Sequence, residues 1–410
     1  MKPQEIKLVA VENAHKGPEL TDAAGEARRA IESFEPEQSV AIAVGSRGVD
    51  RLAEIVKALV DHVRARGADP FIVPAMGSHG GATADGQRLL LEKLGISAAA
   101  MGAPVRSATE TVELPPTASG LRLRFDRTAF EADQLVVVNR VKPHTRFGGP
   151  IQSGLCKMAL VGLGNRAGAE LIHKEAMERS FAEIVDDAFG VLAGETPLSF
   201  GLALVENGRK KLAALRAVSA ADFKAADREL LVVAKEWIAR LPFERIDLLI
   251  VDRIGKEISG TGMDTNVIGR KNAHASPHVV RILVRGLSGA SRGNATGIGF
   301  ADAVTRPCAD RIDHKATALN CFTALRPEGA RLPAVFENDC EALGALLPTT
   351  GRPSAESVRL VRIASTASLE RLEVSTALLD ELKTAEGVRP LGPPRNLSFD
   401  GNGFLEEFPF

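Results

Sequence analysis

The chain contains no tyrosine and one tryptophan among its 410 residues, and aromatic side chains make up only 4% of it. That leaves little material for the stacking platforms on which nucleic-acid bases are held. Neither sign of charge is in excess: 51 Lys and Arg face 52 Asp and Glu, a net charge of -1. The basic residues are scattered, so no field draws in nucleic acid or an anionic membrane surface. No stretch reaches the roughly 18 consecutive apolar residues of a membrane span. The opening MKPQEIKLVAVENAHKGPEL also lacks the apolar core of a signal peptide, and the expected location is the cytoplasm. The four cysteines, Cys156, Cys308, Cys321 and Cys340, show no CxxC pair and no zinc spacing. They read as free, mostly buried thiols of a reducing compartment.

What is present is the composition of a globular enzyme, in a chain longer than one hydrophobic core usually supports. The N-terminal half alternates short apolar runs with amphipathic stretches. The spacing predicts strands at Ser39–Val44, Pro70–Pro74, Leu121–Phe125, Gln134–Val138 and Phe200–Val205. Helices are expected near Asp50–Arg66, Thr83–Leu94, Met177–Ala193 and Ala220–Arg240. This is the grammar of βαβ units. Around Leu241–Ile246 the pattern restarts, with strands near Asp247–Val251, Val280–Val284 and Val358–Ile363. The expected fold is two α/β domains with mostly parallel sheets and an active-site cleft between them. The domains would span 1–242 and 243–385. A tail, 386–410, would pack back on the N-terminal domain.

In open parallel sheets, functional residues sit on loops leaving the carboxyl ends of strands. Three segments follow predicted strands directly: Gly45-Ser46-Arg47-Gly48, Met76-Gly77-Ser78-His79-Gly80-Gly81, and Asn139-Arg140-Val141-Lys142-Pro143-His144-Thr145. The glycines around Ser78 and His79 allow close backbone approach to a ligand, and N–H groups at the following helix start suit a carboxylate or phosphate. A fourth segment runs from Gly148 through Lys157 to Gly164, with His173 beyond it. Lys157 stands in an almost wholly apolar stretch. It is either a snorkelling surface residue or a desolvated amine with a lowered pKa. His173 could ligate a transition metal, although a lone helical histidine is more often a partly buried side chain.

Together these residues resemble the nickel-dependent lactate racemases and their 2-hydroxy-acid racemase and epimerase relatives. In that family an arginine loop, a GTH-type loop, a PH pair, a glycine-rich segment ending in lysine and a later histidine occur in this order. Here the order is Arg47, His79, His144, Lys157, His173, with separations of 32 residues from Arg47 to His79, 65 from His79 to His144 and 16 from Lys157 to His173. The resemblance implies a nickel-pincer nucleotide tethered through Lys157, with His173 as the protein ligand to nickel. Ser46, Arg47, Gly77 and Ser78 would be further cofactor contacts. His79 and His144 would be paired acid/bases on opposite sides of the substrate, and Arg47 and Lys256 would bind the substrate. The implied partners are a small 2-hydroxy acid and the cofactor-synthesis enzymes, with self-association left open. The family commonly carries an acidic residue shortly before the first-loop arginine, whereas this chain reads Ala43-Val44-Gly45-Ser46-Arg47. That departure, with a longer glycine-rich segment, points away from lactate itself.

Removing the Cα proton of a 2-hydroxy acid is difficult because the adjacent carboxylate is already negative. Taking the hydroxyl proton with a histidine, while the Cα hydrogen leaves as hydride, gives a planar 2-keto acid instead. Two rival readings use the same loops: a zinc- or iron-dependent hydrolase or lyase, and a metal or cofactor carrier without turnover. The glycine-rich run 260–269 lacks the Gly-Lys-Ser/Thr ending of a nucleoside-triphosphate loop. His274, His278 and His314 read as structural or exposed. Asn294, Thr296, Asn320 and Asp339 are weak candidates for substrate contacts.

Overall fold

The computed structural model describes residues 1–14, 17–272 and 276–408; His274 lies outside them. Internal contacts divide the chain into one unit of Lys16–Ile238 and a second made of Met1–His15 with Ala239–Phe410. Both are α/β with mostly parallel sheets. No helix among the described residues is long and apolar enough to cross a membrane.

Strands are numbered along the chain, and β1 (Lys7–Asn13) belongs to the second unit. The first unit contains β2 (Ser39–Val44), β3 (Asp69–Pro74), β4 (Thr111–Pro116), β5 (Arg122–Asp126), β6 (Gln134–Arg140), β7 (Leu198–Glu206) and β8 (Leu212–Ser219). Its main sheet has the order β3-β2-β6-β7-β8, parallel except for the last strand. Each central strand alternates between two apolar layers. Ala41, Ala43, Phe71, Val73, Leu135 and Val137 face one, while Val40, Ile42, Val44, Ile72, Val136 and Val138 face the other. That two-sided burial is why these strands read as unbroken apolar runs.

Helices α1 (Ala23–Ala30) and α2 (Leu52–Ala65) cover one face of the sheet; α2 brings Ile55, Val56, Leu59, Val60 and Val63, the stripe of an amphipathic helix. Opposite lie α4 (Asn165–Glu175), α5 (Phe181–Glu195) and α6 (Phe223–Trp237). Helix α3 (Ala84–Lys93) follows β3 and is capped by Thr83, whose hydroxyl accepts from Gly86 N–H at 3.1 Å. The strand expected at Leu121–Phe125 exists as β5, but outside the main sheet: it pairs antiparallel with β4 in a separate hairpin. Its alternation of exposed and buried residues signals a strand but does not name the partner.

The second unit contains β9 (Arg245–Val251), β10 (His278–Val284), β11 (Ala303–Thr305), β12 (Ala334–Phe336), β13 (Leu360–Ile363), β14 (Arg371–Ser375), β15 (Val388–Pro390) and β16 (Arg395–Asn396). The order is β12-β11-β10-β9-β13-β14-β1-β15, with β16 also on β1. From β12 to β13 the strands are parallel; β14, β1 and the tail strands pair antiparallel. The start and the end of the chain thus belong to this sheet. The tail expected on the N-terminal domain adds to the second unit instead, because β1 offers the pairing edge. His278 and His314 are exposed. Cys156, Cys308 and Cys321 are buried free thiols and Cys340 is half-buried.

One polar network is sealed inside this unit. Arg362, 2% exposed, bonds Asp252 through two nitrogens at 2.9 and 2.8 Å and meets Glu373 across the β13–β14 pair at 3.0 Å. Arg285 bridges Asp252 and Asp339, and the tail carbonyls of Leu405 and Glu406 accept from Arg285 and Arg362. Buried charges are tolerated only when paired this fully. Replacing Arg362 by Met is expected to cost about 3–5 kcal/mol by leaving two buried carboxylates short of a partner. Urea denaturation measures it, and a loss below about 1 kcal/mol would mean that the network carries little of the stability.

Candidate active site

Strands β3, β2 and β6 are neighbours in the first unit's sheet, so the loops leaving their carboxyl ends open side by side. The first loop carries Ser46 and Arg47, the second Gly77, Ser78 and His79, and the third His144. Past the third loop comes a helical turn, Leu155–Lys157, which widens into a π-type turn, Met158–Gly162, before α4. Such widened turns recur at functional sites because they re-aim side chains. Gly77 N–H bonds Gly162 O at 2.9 Å, tying the second loop to this turn, and Asn139 Nδ2 donates to Gly154 O at 2.6 Å. Ser78 and His79 lie exposed at the start of the short turn Gly80–Ala82.

Lys157 is set in place by a buried carboxylate. Asp227, fully buried on α6, accepts from the N–H groups of Leu155 at 2.9 Å and Cys156 at 2.8 Å. It thus satisfies donors that begin the turn. Gly154 has φ +108, and a Cβ there would sit 2.1 Å from Asp227 Oδ1, so glycine is required on both counts. Burial pushes the Asp227 carboxyl up to about 6, against the pull of those N–H groups. Burial also pushes up the Cys156 thiol, as does the adjacent Asp227.

Around Lys157 the charges are nearly all positive. Burial first, then Arg47 and Arg146, hold its amine down at about 8. Burial, Arg146 and Lys157 bring His173 to about 4. Burial and the charges of Lys157, Lys142, His173 and Arg146 hold His144 well below the usual imidazole range. Arg140, brought to about 10 by burial and Arg47, is paired with Glu206. Both imidazoles are therefore neutral at pH 7. Burial likewise lowers Arg47, although its side chain is largely exposed, and its guanidinium stays charged.

Phe147 organises the two rings. It stacks on His144 with centroids 4.5 Å apart, on Phe181 at 4.4 Å and on His173 at 5.7 Å. The backbone N–H groups of Arg146 and Phe147 both donate to His144 Nδ1, at 3.2 and 3.1 Å. His173 Nδ1 is buried and has no hydrogen-bond partner. His79 Nδ1 pairs with the Ser46 hydroxyl.

The structure thus gathers His144, Lys157 and His173, with Arg47 near enough to depress Lys157, and it joins His79 to the Arg47 loop through Ser46. Lys256 belongs to the second unit, where it donates to Asn320 on α7 (His314–Thr323). Sequence reasoning did not single out Arg146, Phe147 or Asp227. For Asp227 a signal existed: it falls among Phe223, Ala226, Leu230, Leu231 and Ala234, the apolar face of α6. A carboxylate there demands a buried partner.

An α/β unit with a lysine–histidine site under strong positive charge is the class these observations define. The chain belongs to the family described as Domain of unknown function (DUF362), whose model matches residues 44–252. No curated protein matches the sequence. Among solved structures, the fold is similar to that of the lactate racemase apoprotein from Thermoanaerobacterium thermosaccharolyticum. The TM-score is 0.55 and the identity 14%, covering 87% of this chain and 94% of that one. It is also similar to a structural-genomics target protein from Thermotoga maritima, with a TM-score of 0.51 and 16% identity over 66% of this chain and 72% of that one.

The position of Lys157 makes its amine measurable. Above about pH 8 it is neutral and nucleophilic, whereas ordinary lysines stay protonated to about 10.4. Acylation followed by peptide mass mapping should label Lys157 first, with a midpoint near 8. Arg47→Met removes a like charge, so the midpoint should rise; an unmoved midpoint would mean that Arg47 does not act on this amine.

Proposed function

We propose that the chain is an isomerase that inverts the C2 centre of a 2-hydroxy acid, working with a nickel-pincer nucleotide held by Lys157 and His173. The observation that carries this reading is a desolvated amine beside a neutral imidazole whose Nδ1 is buried without a partner. Buried polar atoms are almost always satisfied, so an orphaned one calls for an explanation such as an absent ligand. A neutral imidazole is the form that ligates a transition metal, and a neutral amine is the form that makes a covalent tether. The residues therefore fit the group. The fold shared with a lactate racemase apoprotein supports the same reading.

When bound, that group would supply the metal and an acceptor for hydride from C2. The chain's own residues do the rest. Arg47, with the positive charge around it, suits a substrate carboxylate, to which a guanidinium donates two parallel hydrogen bonds. Ser46, Gly77 and Ser78 line the first two loops as further cofactor contacts. His79 and His144 are the imidazoles available to the C2 hydroxyl.

The zinc or iron hydrolase reading is less well supported. Zinc sites of that kind draw three or four ligands from the protein, and no group of three His, Cys, Asp or Glu suited to a metal occurs among the described residues. A metal that arrives already held by an organic ligand needs only one. The test is co-expression with the cofactor-synthesis enzymes, followed by intact mass and metal analysis. Added mass mapping to Lys157 together with nickel, both lost in Lys157→Ala, is expected, along with interconversion of 2-hydroxy-acid enantiomers. Zinc alone and no added mass would overturn the proposal.

A further inference from the structure

We propose that Lys157, in the cofactor-free chain, condenses with the carbonyl carbon of a 2-keto acid to form an imine, with Arg47 taking the carboxylate. This is an activity of the amine itself, and it does not depend on the nickel-pincer reading of the site. Its basis is an amine and a guanidinium that act on each other's charge while neither has a partner. Among the described residues the Lys157 amine makes no hydrogen bond and no ion pair, and the charged side chains that act on it, Arg47 and Arg146, share its sign. Arg47 is exposed and likewise has no acceptor among the described residues. Arg140, in the same cluster, is taken up by Glu206; no described carboxylate does this for Lys157 or Arg47.

A nucleophilic lysine has to be held in place, desolvated and still reachable. The backbone leading to Lys157 is held from two sides. Asn139 Nδ2 donates to Gly154 O at 2.6 Å, and Asp227 accepts from the N–H groups of Leu155 and Cys156 at 2.9 and 2.8 Å. Every residue from 151 to 165 is buried except Lys157, which is half-buried. Its side chain is therefore the part of this segment that a small molecule can reach. Burial, with Arg47 and Arg146, keeps neutral amine present at pH values where exposed lysines remain ammonium ions.

A neutral amine attacks electron-poor carbon, and a guanidinium holds a carboxylate through two parallel hydrogen bonds. A ligand that satisfies both carries a carbonyl next to a carboxylate, which is a 2-keto acid; a simple ketone satisfies only the first. In the condensation the amine nitrogen bonds to the carbonyl carbon, and one proton passes from nitrogen to oxygen to give a carbinolamine. The C–O bond then breaks, and the oxygen leaves as water with the second amine hydrogen. Nothing is oxidised or reduced, and the neighbouring positive charges favour the uncharged imine over its protonated form.

Reductive trapping of the full-length, cofactor-free chain tests this. With pyruvate and sodium cyanoborohydride near pH 8, intact mass should show a single early adduct, and peptide mapping should place it on Lys157 ahead of the other lysines. The selectivity for Lys157 over exposed lysines should be roughly tenfold or more higher with pyruvate than with acetone, the worth of a charge-assisted hydrogen bond to the carboxylate. Arg47→Met should bring the two selectivities together. That comparison isolates the carboxylate contact, because any change in the protonation of the amine affects both carbonyl compounds alike. Adducts spread over exposed lysines with Lys157 not first, equal selectivity for pyruvate and acetone, or a pyruvate preference that survives Arg47→Met would overturn the proposal.

The cofactor-loaded chain should resist trapping at Lys157, since the tether uses the same amine. If the cofactor-free chain were trapped there while co-expression added neither mass nor nickel, the isomerase reading would fall and the imine would stand. If cofactor mass mapped to Lys157 while pyruvate left no adduct on the cofactor-free chain, the isomerase reading would stand and the imine would fall.

Discussion

The site depends on one buried carboxylate. Asp227 holds the first N–H groups of the Leu155–Lys157 turn, and Gly154 leaves the space for it to do so. Without that anchor the turn would begin with unsatisfied donors inside an apolar layer, and nothing would fix where Lys157 emerges. The π-type turn that follows and the bond from Gly77 to Gly162 then relate the lysine to the second loop. Backbone hydrogen bonds thus link the position of Lys157 to the loop that carries Ser78 and His79.

Positive charge is the second organising feature. Arg47, Arg140, Lys142, Arg146 and Lys157 cluster with two imidazoles, and Glu206 takes up only Arg140. Burial first, and then like charges at close range, disfavour the protonated forms, so the Lys157 amine is held at about 8. Burial and the same field keep both imidazoles neutral. The second unit handles its buried charge in the opposite way. There Arg285, Arg362 and Arg395 are matched by Asp252, Asp339 and Glu373 under the tail. One cluster is built for structure; the other is unbalanced in the manner of a binding site.

Much of the fold was legible in the pattern of residues. The strands at Ser39–Val44 and Asp69–Pro74, and the helix capped by Thr83, follow from local chemistry: two-sided burial produces apolar runs, and hydroxyls cap helices. Less was legible where partners are distant in the chain. β5 was recognisable as a strand but not as half of a hairpin, and β1 gave no sign that it would join the sheet of the second unit. Strand pairing is a choice among edges, and a short segment does not encode which edge it meets.

For the site, the sequence by itself named the candidate groups and their order: Arg47, His79 and His144 on loops that follow parallel strands, then Lys157 and His173. It left undecided whether Lys157 is a solvated cation or a desolvated amine and whether His144 and His173 are neutral. Those matters were decided by tertiary structure alone. Proton affinity depends on burial and on charges brought close by folding. Asp227 is remote from Lys157 in sequence, and its effect exists only once the chain has closed around it.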